Sequence, residues 1–324
     1  MTSPSLPAEL IAALGARLQG VSRNELAIRA EKISKTYREG GRSMTIASDT
    51  DALAYALVRM PATYAAVAAC LNAVQEITPD FAPKDLLDVG AGPGTASFAA
   101  AEAFSSLEDF TLLDANPALR ELALGLSRDN ERLHPLKYEH GQVQALLADR
   151  EAADLVVASY VIGELGEAER RTLAELLWDR TRDTLLIVEP GTPAGYARIL
   201  AVRAQLIASG AHVLAPCPHD GECPLAAPDW CHFAQRLPRS RAHKEVKAAD
   251  LPFEDEKFTY IALARKPAPQ HLARLLAPPH LGKVQATAKL CTADGLVLAE
   301  IPRRDKSAYA AARRWRWGDL VPSV

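Results

Sequence analysis

The sequence predicts an α/β protein: a mainly parallel sheet covered by helices on both faces, with a helical region before it and a small β-containing appendage after it. Three observations point there. From about residue 81, short apolar runs alternate with helix-length amphipathic segments, the texture of repeated strand and helix units. A glycine-rich turn follows the first of those runs and opens a helix. The first 80 residues repeat apolar positions at helical spacing.

Taken in order, residues 1–80 form the helical region. Leu10, Ile11, Leu14 and Leu18 share one helical face, and a second run with Leu53, Leu57 and Val58 follows Asp49, Thr50 and Asp51, any of which can cap it. Pro61 interrupts that run, and Tyr64, Val67, Ala68, Leu71 and Val74 resume it. The uncharged stretch Met60 to Gln75 has sixteen residues, among them Pro61, Thr63, Asn72 and Gln75, and is too short and too polar for a bilayer span. Residues 81–266 hold the sheet, with strands at Asp85 to Val89, Phe110 to Leu113, Leu155 to Ser159, Leu185 to Val188 and Phe258 to Ala262, and a cysteine-rich loop at 216–232. Pro267, Pro269, Pro278 and Pro279 mark a linker or irregular connection. In the basic appendage, 267–324, Lys283 to Thr292 and Leu296 to Ile301 flank the turn signal Ala293-Asp294-Gly295 and predict a hairpin.

The chain has 324 residues, 48% apolar and 24% charged, which excludes disordered, collagen-like and disulfide-dense classes. Five cysteines are an odd number, as expected of reduced thiols unless a metal or a reaction uses them. Met1 to Gly20 lacks the basic flank, apolar stretch and cleavage site of a secretory signal and is poor in Arg for a transit peptide, which predicts a cytoplasmic location. Charge is uneven: residues 1–231 carry a net −11 and residues 232–324 a net +8. Such asymmetry predicts that the C-terminal part faces a polyanion.

The sharpest motif is Leu86-Leu87-Asp88-Val89-Gly90-Ala91-Gly92-Pro93-Gly94-Thr95. A buried strand enters a glycine turn where backbone can approach a ligand that a side chain would exclude. A dinucleotide fingerprint needs glycine at the sixth position of the turn, which here is Thr95. The spacing Asp-x-Gly-x-Gly-x-Gly instead resembles the first motif of class I S-adenosylmethionine methyltransferases. By analogy Asp114, after the second strand, accepts the ribose hydroxyls, and Ser159, Tyr160 and Glu164 face the mouth of the site. The cofactor residues are therefore Asp88, Gly90, Gly92, Gly94, Asp114 and Ser159. No catalytic set is evident: Ser159-Tyr160-Val161-Ile162 stands where amino-group methyltransferases carry an Asn/Asp-Pro-Pro-aromatic stretch, and Cys70 lies outside the sheet.

The second signal is the run from Cys217 to His232, which holds Cys217, Cys223 and Cys231 among several prolines and little that could pack. Three thiols in such a loop predict soft-metal ligation, with Cys291, His219 or His232 as the fourth ligand. Zinc ribbons bring paired Cys-x-x-Cys knuckles, absent here, while the wider gaps accommodate an iron–sulfur cluster; spacing alone leaves both metals open. Past the loop lie Arg236, Arg239, Arg241, Lys244 and Lys247 with Glu245 as the one nearby acid, and near the C-terminus Arg303, Arg304, Lys306, Arg313, Arg314 and Arg316 alternate with Tyr309, Trp315 and Trp317. Cations that neutralise phosphates beside aromatic rings that stack on unpaired bases suit structured RNA.

Pro216-Cys217-Pro218-His219-Asp220-Gly221-Glu222-Cys223-Pro224-Leu225, Asp229-Trp230-Cys231-His232-Phe233, Leu251-Pro252-Phe253-Glu254-Asp255-Glu256-Lys257-Phe258 and Glu189-Pro190-Gly191-Thr192-Pro193 resemble the methyltransferase-like small-ribosomal-subunit assembly factors, a family with mitochondrial, fungal and bacterial members. The resemblance covers about residues 40–320. It implies a class I methyltransferase fold, a [4Fe–4S] cluster on Cys217, Cys223, Cys231 and Cys291, and action on the small ribosomal subunit and its rRNA. The expected function is an rRNA-binding assembly factor that binds S-adenosylmethionine. The alternatives are an active rRNA methyltransferase and a metal-stabilised small-molecule methyltransferase that does not bind RNA.

Overall fold

The computed structural model describes residues 1–38, 45–134, 136–267 and 272–322, so Pro269 of the expected linker lies outside the described residues. Three helices lead: α1 (Ala8–Arg17), α2 (Arg23–Arg38) and α3 (Asp49–Ile77). The cap of α3 is Ser48, not Asp49, Thr50 or Asp51: the Ser48 hydroxyl accepts the Asp51 N–H, and the Asp51 carboxylate accepts the Ser48 N–H in return. α3 also runs straight past Pro61, where an interruption was expected. The proline forfeits one backbone bond, and burial of Leu57, Met60, Tyr64, Val67, Leu71 and Val74 along the same helix outweighs it. At 29 residues α3 is long and apolar enough to cross a bilayer, yet most of its apolar stretch is buried inside the protein. The helix α2, polar overall, gave no apolar repeat to read; it packs on α3.

The apolar runs become the strands of the main sheet. β1 (Asp85–Val89) lies between β2 (Asp109–Asp114) and β4 (Ala153–Ser159), with β3 (Lys137–His140) beyond β2 and β5 (Thr181–Pro190) beyond β4, all five parallel. Between them run α4 (Thr95–Ala103), α5 (Pro117–Ser127), α6 (Val143–Ala148) and α7 (Glu167–Asp179), and α8 (Pro193–Ala208) follows β5. The long strand β8 (Phe253–Ala264) joins β5 antiparallel and carries β6 (His212–Ala215) and β7 (Phe233–Pro238) on its other edge. A parallel sheet ordered β3-β2-β1-β4-β5 with an antiparallel strand inserted before the last is the class I S-adenosylmethionine methyltransferase fold.

Side chains alternate across the sheet with the two-residue period of a strand. Leu86, Leu155, Val157, Leu186 and Val188 pack under α3, α4 and α5, while Leu87, Val89, Val156, Ala158, Leu185 and Ile187 pack under α7 and α8. Helix α3 of the expected N-terminal helical region thus shares with α4 and α5 one of the two layers that close the sheet.

After β7 comes the short helix α9 (Arg241–Lys247), which packs on α2. A second sheet holds β9 (Ala273–Leu275), β10 (His280–Leu281), β11 (Gln285–Thr292), β12 (Gly295–Pro302) and β13 (Leu320–Val321), with α10 (Lys306–Ala312) against it. β11 and β12 form the predicted hairpin around Ala293-Asp294-Gly295. Leu275, Leu290, Ile301 and Val321 give this sheet its own small core.

Candidate functional site

The glycine turn sits at the C-terminal end of β1. Gly90, Gly92 and Gly94 have φ of 70°, 54° and 79°, a region that costs other residues about 1 kcal/mol or more. A Cβ on Gly90 would lie 2.5 Å from Val161, so the turn is also packed too closely for a side chain there. Asp88 is fully buried; its Oδ2 accepts from the Ser97 N–H (3.1 Å) and hydroxyl (2.7 Å), and its Oδ1 is a buried acceptor without a partner. Burial pushes the Asp88 carboxyl up to about 7.

Asp114 ends β2 as expected, and the fold brings it against the turn: its Oδ2 accepts the Gly92 N–H at 2.9 Å and its Oδ1 the Asn116 N–H at 2.7 Å. Burial raises its carboxyl, and these backbone donors oppose the rise. With Ala115 as a third backbone donor, the four acceptor sites of the carboxylate are still not filled. Ser159 closes β4, the parallel neighbour of β1, so its backbone reaches the same edge of the sheet. These residues fit a nucleoside cofactor: a turn open only to glycine, a carboxylate with spare acceptor capacity, and an orphaned buried oxygen at Asp88.

Tyr160, next in the chain, has φ 58° without being glycine, a strained conformation of the kind that accumulates at functional sites. Its hydroxyl donates to Glu256 Oε1 at 2.9 Å, and Arg59 Nη2 stands 3.2 Å from the same oxygen. This bridge ties α3 and β8 to the end of β4. Sequence reading named Tyr160 but missed Arg59 and Glu256, which are 197 positions apart and share no motif. Glu189, fully buried, holds the turn at Ile162–Glu164: its Oε1 accepts the Gly163 N–H at 3.2 Å and its Oε2 the Arg198 Nε at 2.7 Å.

Cys217, Cys223, Cys231 and Cys291 line one cavity together with Tyr196, Arg203 and Arg274. Three come from the loop between β6 and β7, and Cys291 arrives on β11 directly opposite Arg274 of β9. The Tyr196 hydroxyl is 3.1 Å from Cys223 Sγ, and His219 Nε2 is 3.7 Å from Cys291 Sγ. His232, the other sequence candidate, is instead held between Trp230, stacked at 4.8 Å, and the edge of Trp317. Burial and the neighbouring sulfurs raise the thiols of Cys217 and Cys231, and that of Cys291 to about 12. Among the described residues no three His, Cys, Asp or Glu side chains converge tightly enough to hold a single metal ion. Four thiols lining one cavity are the donor set of a soft-metal or metal–sulfide group, and Arg203 and Arg274 line the same space.

The basic residues separate into two kinds. Arg236 pairs with Asp255 (2.8 Å), Arg239 with Glu254 (3.1 Å) and Arg241 with Glu245 (2.8 Å), while Lys244 is half-buried on α9. The expectation that this cluster faces a single acid is corrected, because strand pairing sets Asp255 and Glu254 of β8 beside β7. Arg303, Arg304, Arg313, Arg314 and Arg316 are exposed and form no ion pair with a described carboxylate. Trp315 packs on the small core of the second sheet and Trp317, its indole nitrogen buried, packs on His232; both rings are half-buried.

Residues 49–322 match the family of the mitochondrial small ribosomal subunit protein Rsm22. This chain belongs to the Rsm22 family. It is 28% identical over 291 residues to the human mitochondrial ribosome assembly protein METTL17, covering 83% of this chain and 62% of that one. It is 25% identical over 339 residues to Rsm22-cox11 tandem protein 2, mitochondrial, of Schizosaccharomyces pombe, covering 88% and 44%. The chain therefore spans less than two thirds of the length of either relative. Among solved structures it is similar to the precorrin-6y C5,15-methyltransferase of Geobacter metallireducens (TM-score 0.40, 12% identity, 60% of this chain and 86% of that one). It is also similar to the magnesium protoporphyrin IX methyltransferase of Synechocystis with bound S-adenosylmethionine (TM-score 0.40, 11% identity, 76% and 100%). The expected cytoplasmic location is overturned: the family and both relatives are mitochondrial. The expectation rested on a missing pattern in Met1 to Gly20, and the absence of a recognisable targeting pattern is not evidence of a compartment.

Proposed function

We propose that this chain is an assembly factor of the small ribosomal subunit that binds S-adenosylmethionine at the glycine turn, an iron–sulfur cluster at the four cysteines, and rRNA through its C-terminal cations. The observation that carries the reading is the convergence of Cys217, Cys223 and Cys231 with Cys291 on one cavity between the main and the C-terminal sheet. Family membership and the ribosome assembly role carried in the name of METTL17 support it.

Asp88, Gly90, Gly92, Gly94, Asp114 and Ser159 hold the cofactor: the turn gives its backbone to the amino-acid end and Asp114 accepts from the ribose. When bound, S-adenosylmethionine offers an activated methyl group. A [4Fe–4S] cluster on the four thiolates supplies a covalent cross-link between loop and sheet, and we assign it that structural task. In this reading the chain consists of a helical region (1–80), a methyltransferase-like unit (81–266) and a basic appendage (267–324) that the cluster bolts to it. Arg303, Arg304, Arg313, Arg314 and Arg316 form the free basic surface. Arg236, Arg239 and Arg241 lie mostly neutralised, and Lys244 is a lesser contributor.

Co-sedimentation of the chain with small ribosomal subunits at rising salt tests the reading. Five phosphate contacts predict that log affinity falls against log salt with a slope of about −3.5 to −4.5. Binding that ignores salt, or no binding, overturns the RNA assignment. The strained Tyr160 beside Glu256 favours a second reading, active methyl transfer to rRNA. Labelled cofactor incubated with immature subunits separates the two.

A further inference from the structure

We infer that Arg203 and Arg274 are built-in counter-charges of the four-cysteine site, so that the cavity is electrically complete only when it holds an anionic metal–thiolate group. The inference rests on the cluster reading above and adds residues that no motif marked. Arg203 on α8 is 4% exposed and Arg274 on β9 is 1% exposed, and both line the cavity with the four cysteines. Arg274 Nε donates to the Pro216 carbonyl (3.1 Å) and Nη1 to the Gly318 carbonyl (2.6 Å), while Nη2 is buried without a partner. Arg203 Nη2 donates to the His219 carbonyl at 2.8 Å, and its Nε is likewise orphaned.

A guanidinium does not shed its proton in a protein, and a buried charge without compensation costs several kcal/mol. Among the described residues the hydrogen-bond partners of both guanidiniums are backbone carbonyls rather than carboxylates, and Glu76 acts on Arg274 through space only. The rest of the balancing charge is that of the cavity's contents. Four thiolates around a core of charge 2+ carry −2 in total, which cancels two arginines. Register supports the placement: Arg274 and Cys291 are direct cross-strand partners, so both side chains leave the same face of the C-terminal sheet. Arg203 reaches the cavity from α8, and its guanidinium acts on Cys217.

The test compares Arg203→Gln with the unaltered chain, each both reconstituted with ferrous iron and sulfide under nitrogen and stripped with a chelator. Melting temperature, bound iron and bound sulfide are read for every sample. With the cluster loaded, Arg203→Gln melts lower and retains at most half the iron. In the stripped protein it melts no lower than the unaltered chain, because the substitution removes an uncompensated buried charge. Arg203→Lys, which keeps the charge, follows the unaltered chain in iron content. A variant that melts lower in both states, or that fails to fold when stripped, shows a packing and hydrogen-bonding role and overturns the inference. If the unaltered chain takes up no iron and sulfide, the cluster reading fails instead; uptake of zinc alone with the same reversal of sign leaves the counter-charge inference standing.

Discussion

The glycine turn and the cysteine cavity are built in opposite ways. The turn is local: Asp88 to Thr95 are consecutive, and the strand, the left-handed glycines and α4 place them with little help beyond Asp114. The cavity is assembled from a loop, α8, β9 and β11, with Cys291 sixty positions beyond Cys231 and brought back only by the second sheet. A local site fails when its own backbone is disturbed. An assembled site fails when the contacts that hold the two sheets together are lost, among them Lys289 with Asp229, Trp317 on His232, and Arg274 on the Pro216 carbonyl.

The largest effect that would break this contrast comes from the cavity. Cys231→Ser should lose all bound iron, raise hydrogen exchange across β9 and β11, and abolish co-sedimentation with small subunits, while S-adenosylmethionine affinity by calorimetry stays within threefold. Retained subunit binding in the iron-free variant would refute the cross-link. Next in size is Gly90→Ala, which places a Cβ 2.5 Å from Val161 at φ 70°. Overpacking and the left-handed backbone together should cost about 2–4 kcal/mol in urea denaturation and reduce cofactor affinity at least tenfold. Iron content should not change, and a parallel loss of iron would mean that the two sites are coupled. The smallest effect sharpens the division among the cations. Replacing Arg313 and Arg314 by Gln together should flatten the salt slope of subunit binding by about 1.5, whereas Arg236→Gln, whose partner Asp255 already neutralises it, should leave the slope nearly unchanged.

Much of the main sheet was legible because a strand buried on both faces reads as an unbroken apolar run, as in Leu155 to Ala158 and Leu185 to Val188. Lys137–His140 was not read, since a strand of four residues with two polar ends carries no such run. His212–Ala215 and Phe233–Pro238 flank the cysteine loop, and their pairing with β8 is a matter of contact rather than pattern. Among site residues, the glycines and Asp114 were visible by spacing. Arg59, Glu256, Arg203 and Arg274 were not, because an arginine that faces a cavity and one that faces water have the same letter and no period.

By itself the sequence determined the strand, glycine turn and helix of the first motif, the hairpin at the C-terminus, and the presence of three thiols in a loop unable to pack alone. These are short-range properties, set by apolar periodicity, by glycine's access to positive φ and by proline's missing N–H. Only the tertiary structure decided that Cys291 lines the cavity of those thiols while His232 is held between two indoles, that two buried arginines line the same cavity, and that Arg236, Arg239 and Arg241 are already paired. Each of those outcomes depends on which distant residues share a space, and in a packed chain that is fixed by the sheets as a whole.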